Sequence, residues 1–220
     1  MTNIFFIILK KEIDETFNTK SKSWFVLAFF LLCIIIFPLS TGVSQELLSS
    51  IAIPAIWISA IFANLLALDS VFKEDYDDGT LIQYLMSGIS LTSVVYAKCL
   101  NHWIFTGLPL ILASPFCLLF LSESAPPNMR LLLSLILGTP LLTLIGLPIS
   151  ALTLGVQTRG PILAFVTLPF YLPVIIFGVI SASRDYSQEY AEFYLMAAML
   201  SLSILFLPLL TVKIIKFIMD

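Results

Sequence analysis

Residues 23–45 read SWFVLAFFLLCIIIFPLSTGVSQ, twenty-three positions without a charged side chain between Lys22 and Glu46. The core of this stretch, Phe25 to Pro38, shows no apolar–polar alternation. A barrel strand would alternate and would be about half as long. In hydrocarbon a backbone has to satisfy its own N–H and C=O groups, so an isolated span of this kind must be a helix. At about 1.5 Å per residue, roughly 20 residues cross a core of about 30 Å. The stretch is long enough to cross once and too short to cross twice.

The pattern repeats along the chain. Uncharged windows of 22, 24, 28, 24 and 20 residues follow, after Glu46, Lys98, Arg130, Arg159 and Glu192. The 25 charged residues among 220 all lie outside these windows. Charged residues make up 11% of the chain, against about a quarter in soluble domains, and mean hydropathy is +1.03. Such a composition excludes a soluble globule and a disordered chain. The predicted fold is all-α and polytopic, one membrane domain over residues 1–220, with six spans near 23–42, 47–67, 101–122, 131–155, 161–181 and 194–213. A formal net charge of −3 gives no basic excess for nucleic acid. Cys33, Cys99 and Cys117 form neither a disulfide framework nor a metal clip.

Lysine and arginine set the orientation. Lys10, Lys11, Lys20, Lys22, Lys73, Lys98, Arg159, Lys213 and Lys216 fall on one side, and only Arg130 and Arg184 on the other. This bias predicts that both termini are cytoplasmic. The leader is long and carries Glu12, Asp14 and Glu15, so the first span is not expected to be a cleaved signal.

Two segments are not spans. Residues 3–18 place Phe6, Leu9, Ile13 and Phe17 on one helical face, with Lys11, Asp14, Glu15 and Asn18 opposite. This pattern predicts a helix lying in the membrane interface, the alternative being a fraying leader. Residues 69–98 form the longest cytoplasmic stretch, acidic at first (Asp69, Glu74, Asp75, Asp77, Asp78) with Phe72 and Tyr76 among the acids. Asp78-Gly79 marks a turn, Thr80 reads as an N-cap, Leu81, Tyr84 and Leu85 form a short helical stripe, and Gly88 ends it. Apolar and aromatic groups on such a loop point to a partner. The candidate contact is Phe72, Asp75, Tyr76, Asp77, Asp78, Gly79, Leu81 and Leu85. The alternative is that Leu81 and Leu85 pack under their own spans while the acids are merely solvated.

Ten of the twelve prolines lie in uncharged windows. Pro109, Pro115, Pro140, Pro169 and Pro173 are the candidate kinks, with bent or broken helices expected around 107–115 and 169–173. The commonness of proline in membrane helices is the alternative explanation. Polar groups within the windows are few: Asn64, Gln157, His102 and scattered hydroxyls. No carboxylate or ammonium is expected at mid-membrane, which argues against proton-coupled transport. His102, the single histidine, stands beside Trp103 and reads as an interfacial pair rather than a ligand. No phosphate-binding loop, nucleophile elbow or zinc motif is present, so the chain is not expected to be an enzyme or to hold a metal or catalytic site.

Taken in order, Phe37-Pro-Leu39, Trp57, Leu65-Leu-Ala-Leu68, DYDDGTLIQYL from Asp75 to Leu85, Ala97-Lys98, His102-Trp103, Gly107-Leu-Pro-Leu110, Ser114-Pro115, Leu137-Gly-Thr-Pro140 and Leu168-Pro to Pro173 resemble the heme exporter protein B (CcmB) family. The resemblance runs from about residue 4 to 217, and its motifs are specific as a set. One departure is Ile82, where family members often carry glutamate. The resemblance implies a permease subunit in the bacterial inner membrane, part of the ABC complex for cytochrome c maturation. It implies a second copy of the chain, a separate ATPase that binds ATP on the cytoplasmic side, and a heme-handling protein and a heme chaperone as neighbours. Heme is implied as possible cargo, with no cofactor resident in this chain. A scaffold that gathers these partners without transport is the alternative function.

Overall fold

The computed structural model describes residues 2–18, 21–41, 44–122, 128–156, 159–183 and 190–219. Lys20, Gln157 and Arg184, used in the sequence reading, lie outside them. The described residues form helices α1 (Thr2–Asn18), α2 (Ser21–Thr41), α3 (Gln45–Leu68), α4 (Lys73–Asp77), α5 (Thr80–Met86), α6 (Leu91–His102), α7 (Leu108–Leu121), α8 (Met129–Leu152), α9 (Arg159–Ser183) and α10 (Ala191–Met219). A π turn, Trp103–Gly107, joins α6 to α7. Five helical stretches are long and apolar enough to cross a membrane, and Trp24–Ser40 in α2 is a shorter apolar helix. The chain is a polytopic membrane protein.

The third span differs from expectation. Helical structure runs from Leu91 to Leu121, so residues 91–98 belong to the span and the connecting segment ends at residue 90. Lys98 is the reason. A charge marks the end of a span only when it needs water, and Lys98 is 6% exposed with two carboxylates of its own chain beside it.

Helix α8 lies at the centre, packed against α3, α9 and α10. Close approach depends on small residues. Trp57 of α3 is wholly buried, and a Cβ at Gly138 of α8 or Gly178 of α9 would run into its ring. Lipid offers no hydrophobic drive between helices, so such tight contact carries the association. The outward faces of α2, α9 and α10 expose Phe25, Leu32, Phe165, Phe170, Leu205 and Phe206, as hydrocarbon-facing helices do.

Proline takes away a backbone donor and leaves the carbonyl four residues earlier unmatched. Two of these carbonyls are met by side chains. Ser114 donates to Ile111 O at 2.8 Å, the carbonyl exposed by Pro115. Tyr96 of α6 reaches across to donate to Ile204 O of α10 at 2.8 Å, the carbonyl exposed by Pro208. Pro140 sits inside an unbroken α8, and Pro169 and Pro173 inside an unbroken α9, so no break occurs at 169–173. The irregular turn is instead at 103–107, just ahead of Pro109. Widening there accommodates a ring that would clash with the preceding turn.

A second cluster of buried apolar residues occupies one end of the bundle. Ile8 of α1, Phe72, Leu81 and Tyr84 of the connecting segment, Val94 of α6, Leu154 after α8, and Val212 and Ile215 of α10 meet there. The first and last helices therefore lie at the same end.

Candidate functional site

At that end the segment between α3 and α6 folds into two short helices. Gly79 adopts φ +78°, the left-handed conformation that glycine enters without penalty, and this separates α4 from α5. The N-cap position of α5 falls on Gly79, not on Thr80 as expected. Thr80 N donates to Asp78 Oδ1 at 2.9 Å, so the aspartate satisfies the first free amide of α5. Hydrogen bonding from the Thr80 hydroxyl first, and from its backbone amide second, holds the Asp78 carboxyl below its ordinary range. Gly88, at φ +71°, turns the chain after α5 as expected.

Helices α1, α4 and α6 meet on one ammonium. Lys98 Nζ of α6 lies 2.9 Å from Glu12 Oε2 of α1 and 2.8 Å from Asp75 Oδ2 of α4. All three residues are more than nine-tenths buried. Burial pushes the Glu12 carboxyl upward, opposed by the charge and hydrogen bond of Lys98. Two further ties hold the ends in place. Lys11 Nζ donates to Tyr84 Oη at 3.0 Å, joining α1 to α5. Arg159 at the start of α9 lies 3.2 Å from Asp69 Oδ1 and donates to Ser150 O of α8 at 3.1 Å.

The sequence-predicted contact residues divide by exposure. Asp77 and Asp78 are exposed, and Tyr76, Gly79 and Leu85 are half-buried. Phe72, Asp75 and Leu81 face inward and position the segment from beneath. Sequence reasoning missed Ile82, 48% exposed, and Met86, 83% exposed, which complete the outer face of α5. Their signal is a spacing of four residues along a helix whose other stripe, Leu81 and Leu85, reads from sequence as the outer one.

On α1 the inward stripe is Phe5, Ile8, Glu12 and Thr16, leaving Phe6 and Phe17 of the expected face exposed. Spacing located an apolar face without showing whether protein or lipid would cover it.

Deeper in the bundle, a string of polar groups crosses four helices. Tyr171 Oη of α9 donates to Asn64 Oδ1 of α3 at 2.9 Å, and Asn64 Nδ2 faces Thr143 Oγ1 of α8 at 3.5 Å. His102 Nδ1 of α6 lies 3.2 Å from the same Thr143 hydroxyl. His102 is therefore not an interfacial residue. It is 7% exposed and inside the span, because the helix begins eleven residues before it. Trp103 Nε1 donates to Thr139 Oγ1 at 3.0 Å in the neighbouring turn.

Comparison with known proteins assigns the family. The family model described as CcmB protein matches residues 3–217. Heme exporter protein B of Pseudomonas aeruginosa is 40% identical over 178 residues, covering 81% of this chain and 80% of that protein. Heme exporter protein B of Haemophilus influenzae is 39% identical over 175 residues, with 80% and 79% covered. The protein of the same name in Escherichia coli K12 is 34% identical over 175 residues, with 80% of each chain covered. With matched residues running from the first helix into the last, this chain belongs to the CcmB family.

Proposed function

We propose that the chain is a six-span permease subunit of an ABC transporter complex for cytochrome c maturation, with α1 at the headgroup boundary and both termini cytoplasmic. A separate ATPase docks on the exposed face of α4 and α5, and its ATP cycle drives heme export or the release of a heme-loaded chaperone. The relatives' name, heme exporter protein B, supports the cargo class. Helix α2, at 21 residues, is long enough for a sixth span. Exposed Phe6, Ile7 and Phe17 suit α1 to the headgroup boundary. The clustering of Ile8 with Ile215 supports termini on one side, and the lysine and arginine bias supports the cytoplasm as that side.

The observation that carries the reading is the Lys98 clasp. Displacement of α4 by a docked partner cannot leave α6 in place without separating Asp75 from Lys98 in a buried site, which costs several kcal/mol. Motion at the surface is therefore passed to a membrane-spanning helix. Asp77 tests the docking face, because it is exposed. Asp77→Lys is expected to lower recovery of the ATPase subunit with the tagged membrane chain by about tenfold, corresponding to about 1.4 kcal/mol. Unchanged recovery with Asp77→Lys and with Met86→Asp overturns the assignment.

A further inference from the structure

Beside the clasp is a cleft of about 140 Å³, lined among others by Glu12, Glu15, Glu74, Asp75, Lys98, Asn101 and His102. Four carboxylates line it against one ammonium, with Lys11 3.4 Å from Glu15 Oε1 at the rim, so the cleft carries an acidic excess when His102 is neutral. Lys98 engages Glu12 through Oε2 and Asp75 through Oδ2. Three buried polar atoms of its lining residues have no hydrogen-bond partner: Glu12 Oε1, Asn101 Oδ1 and His102 Nε2. Their residues are 6%, 9% and 7% exposed.

The orientation of each follows from its other contacts. Asn101 Nδ2 donates to Thr16 Oγ1 at 3.0 Å, which leaves the amide oxygen as an acceptor. His102 Nδ1 is turned to Thr143, which does not line the cleft, so the Nε2 edge is the one that meets it. A buried acceptor left unmatched costs about 1–3 kcal/mol. A donor-bearing cation of a few heavy atoms would satisfy both the charge and the acceptors. Among the described residues no three His, Cys, Asp or Glu side chains converge as metal ligands, so an organic cation suits the cleft. A guanidinium presents several N–H donors in one plane, so a single group meets Glu12 Oε1 and Asn101 Oδ1 together, as a compact ammonium does less readily.

We propose that this cleft binds a guanidinium group, hydrogen-bonded to Glu12 Oε1 and Asn101 Oδ1 against the His102 ring. The group belongs either to a small free molecule or to an arginine of a bound protein. This inference rests on the cleft alone and holds whether or not the ATPase docks as proposed.

His102 is the single histidine, so ring-nitrogen resonances of ¹⁵N-histidine-labelled chain in nanodiscs report this site only. Titration with millimolar guanidinium chloride is expected to shift the His102 signal saturably, while sodium chloride at equal ionic strength does not. Glu12→Gln keeps the shape, removes the charge and leaves Lys98 with Asp75. It is expected to weaken guanidinium binding by about tenfold. If Glu12→Gln does not accumulate as folded protein, Glu15→Gln on the exposed rim is read in the same way, with weakening of about threefold expected from a more screened charge. Addition of the ATPase subunit distinguishes the sources. A matching shift that blocks guanidinium identifies a protein arginine, and an unaltered titration identifies a free cation. A response shared with sodium, a shift that never saturates, or equal titration of wild type and variant would overturn the proposal and show a water-filled void. None of these results alters the Asp77→Lys recovery experiment, so the two readings fail separately.

Discussion

The middle of the bundle and its charged end are held by opposite means. Around Trp57 the contacts are dry and steric: Gly138 and Gly178 press on a buried indole, Tyr171 pairs with Asn64 across helices, and Trp57 Nε1 and Ser59 Oγ are held by packing without a hydrogen-bond partner. Around Lys98 the contacts are ionic, with a cleft alongside and three unmatched polar atoms. Steric packing has one arrangement and tolerates little displacement. An ion pair with a cleft beside it can exchange partners, provided the buried charges are never left alone. The comparison assigns rigidity to the middle and mobility to the end.

The largest effect is expected where the rigid region is overfilled. Gly178→Leu forces a branched side chain into the Trp57 ring and should abolish recovery of monodisperse protein in detergent, since overpacking costs about 1–3 kcal/mol or more. Recovery by the double variant Gly178→Leu with Trp57→Ala would sharpen the steric reading, and a well-folded Gly178→Leu would break it. Next is the clasp. Lys98→Met strands two buried carboxylates and should destabilise by about 3–5 kcal/mol, measured as a lowered melting temperature in nanodiscs. Replacing Glu12 and Asp75 by Gln and Asn together with Lys98→Met should return most of that loss.

A smaller effect tests the proline compensation. Tyr96→Phe removes the donor to Ile204 O and should cost about 1 kcal/mol. In a Pro208→Ala background, where the backbone amide can again supply that bond, the cost of Tyr96→Phe should vanish. The smallest effect is at the surface. Asp78→Ala removes the acceptor of the Thr80 amide, worth about 1 kcal/mol, and should speed amide exchange in residues 80–86 alone. The Asp78 carboxyl is held low, so its contribution is present above the ordinary carboxylate range and is lost as pH falls through the folded-state value. Protection of α5, corrected for intrinsic exchange, should decline on acidification in wild type and not in Asp78→Ala.

The long spans were legible because hydrocarbon excludes charge, and the expected spans match α3, α8, α9 and α10 to within a few residues except where α10 runs on to Met219. The start of the third span was not. Lys98 was read as a boundary, and nothing local to 91–98 says that Glu12 and Asp75, each more than twenty residues away in sequence, neutralise it. His102 was misplaced for the same reason. Gly79 and Gly88 were readable because a left-handed backbone favours one residue type. The cap was not, since Asp78 and Thr80 both suit that role in sequence while the N-cap position falls on Gly79 between them. The exposed face of α5 needed the fold, because Leu81 and Ile82 are equally apolar in sequence.

The central claim is that nucleotide-driven motion enters at the charged end and leaves the steric middle intact. Amide hydrogen exchange of the chain in complex with its ATPase, with and without a non-hydrolysable nucleotide, tests it most directly. The account predicts changed exchange in α1, α4, α5 and the first turns of α6, with none around Trp57, Gly138 and Gly178. Identical exchange in both states would contradict it and favour a scaffold that only gathers partners.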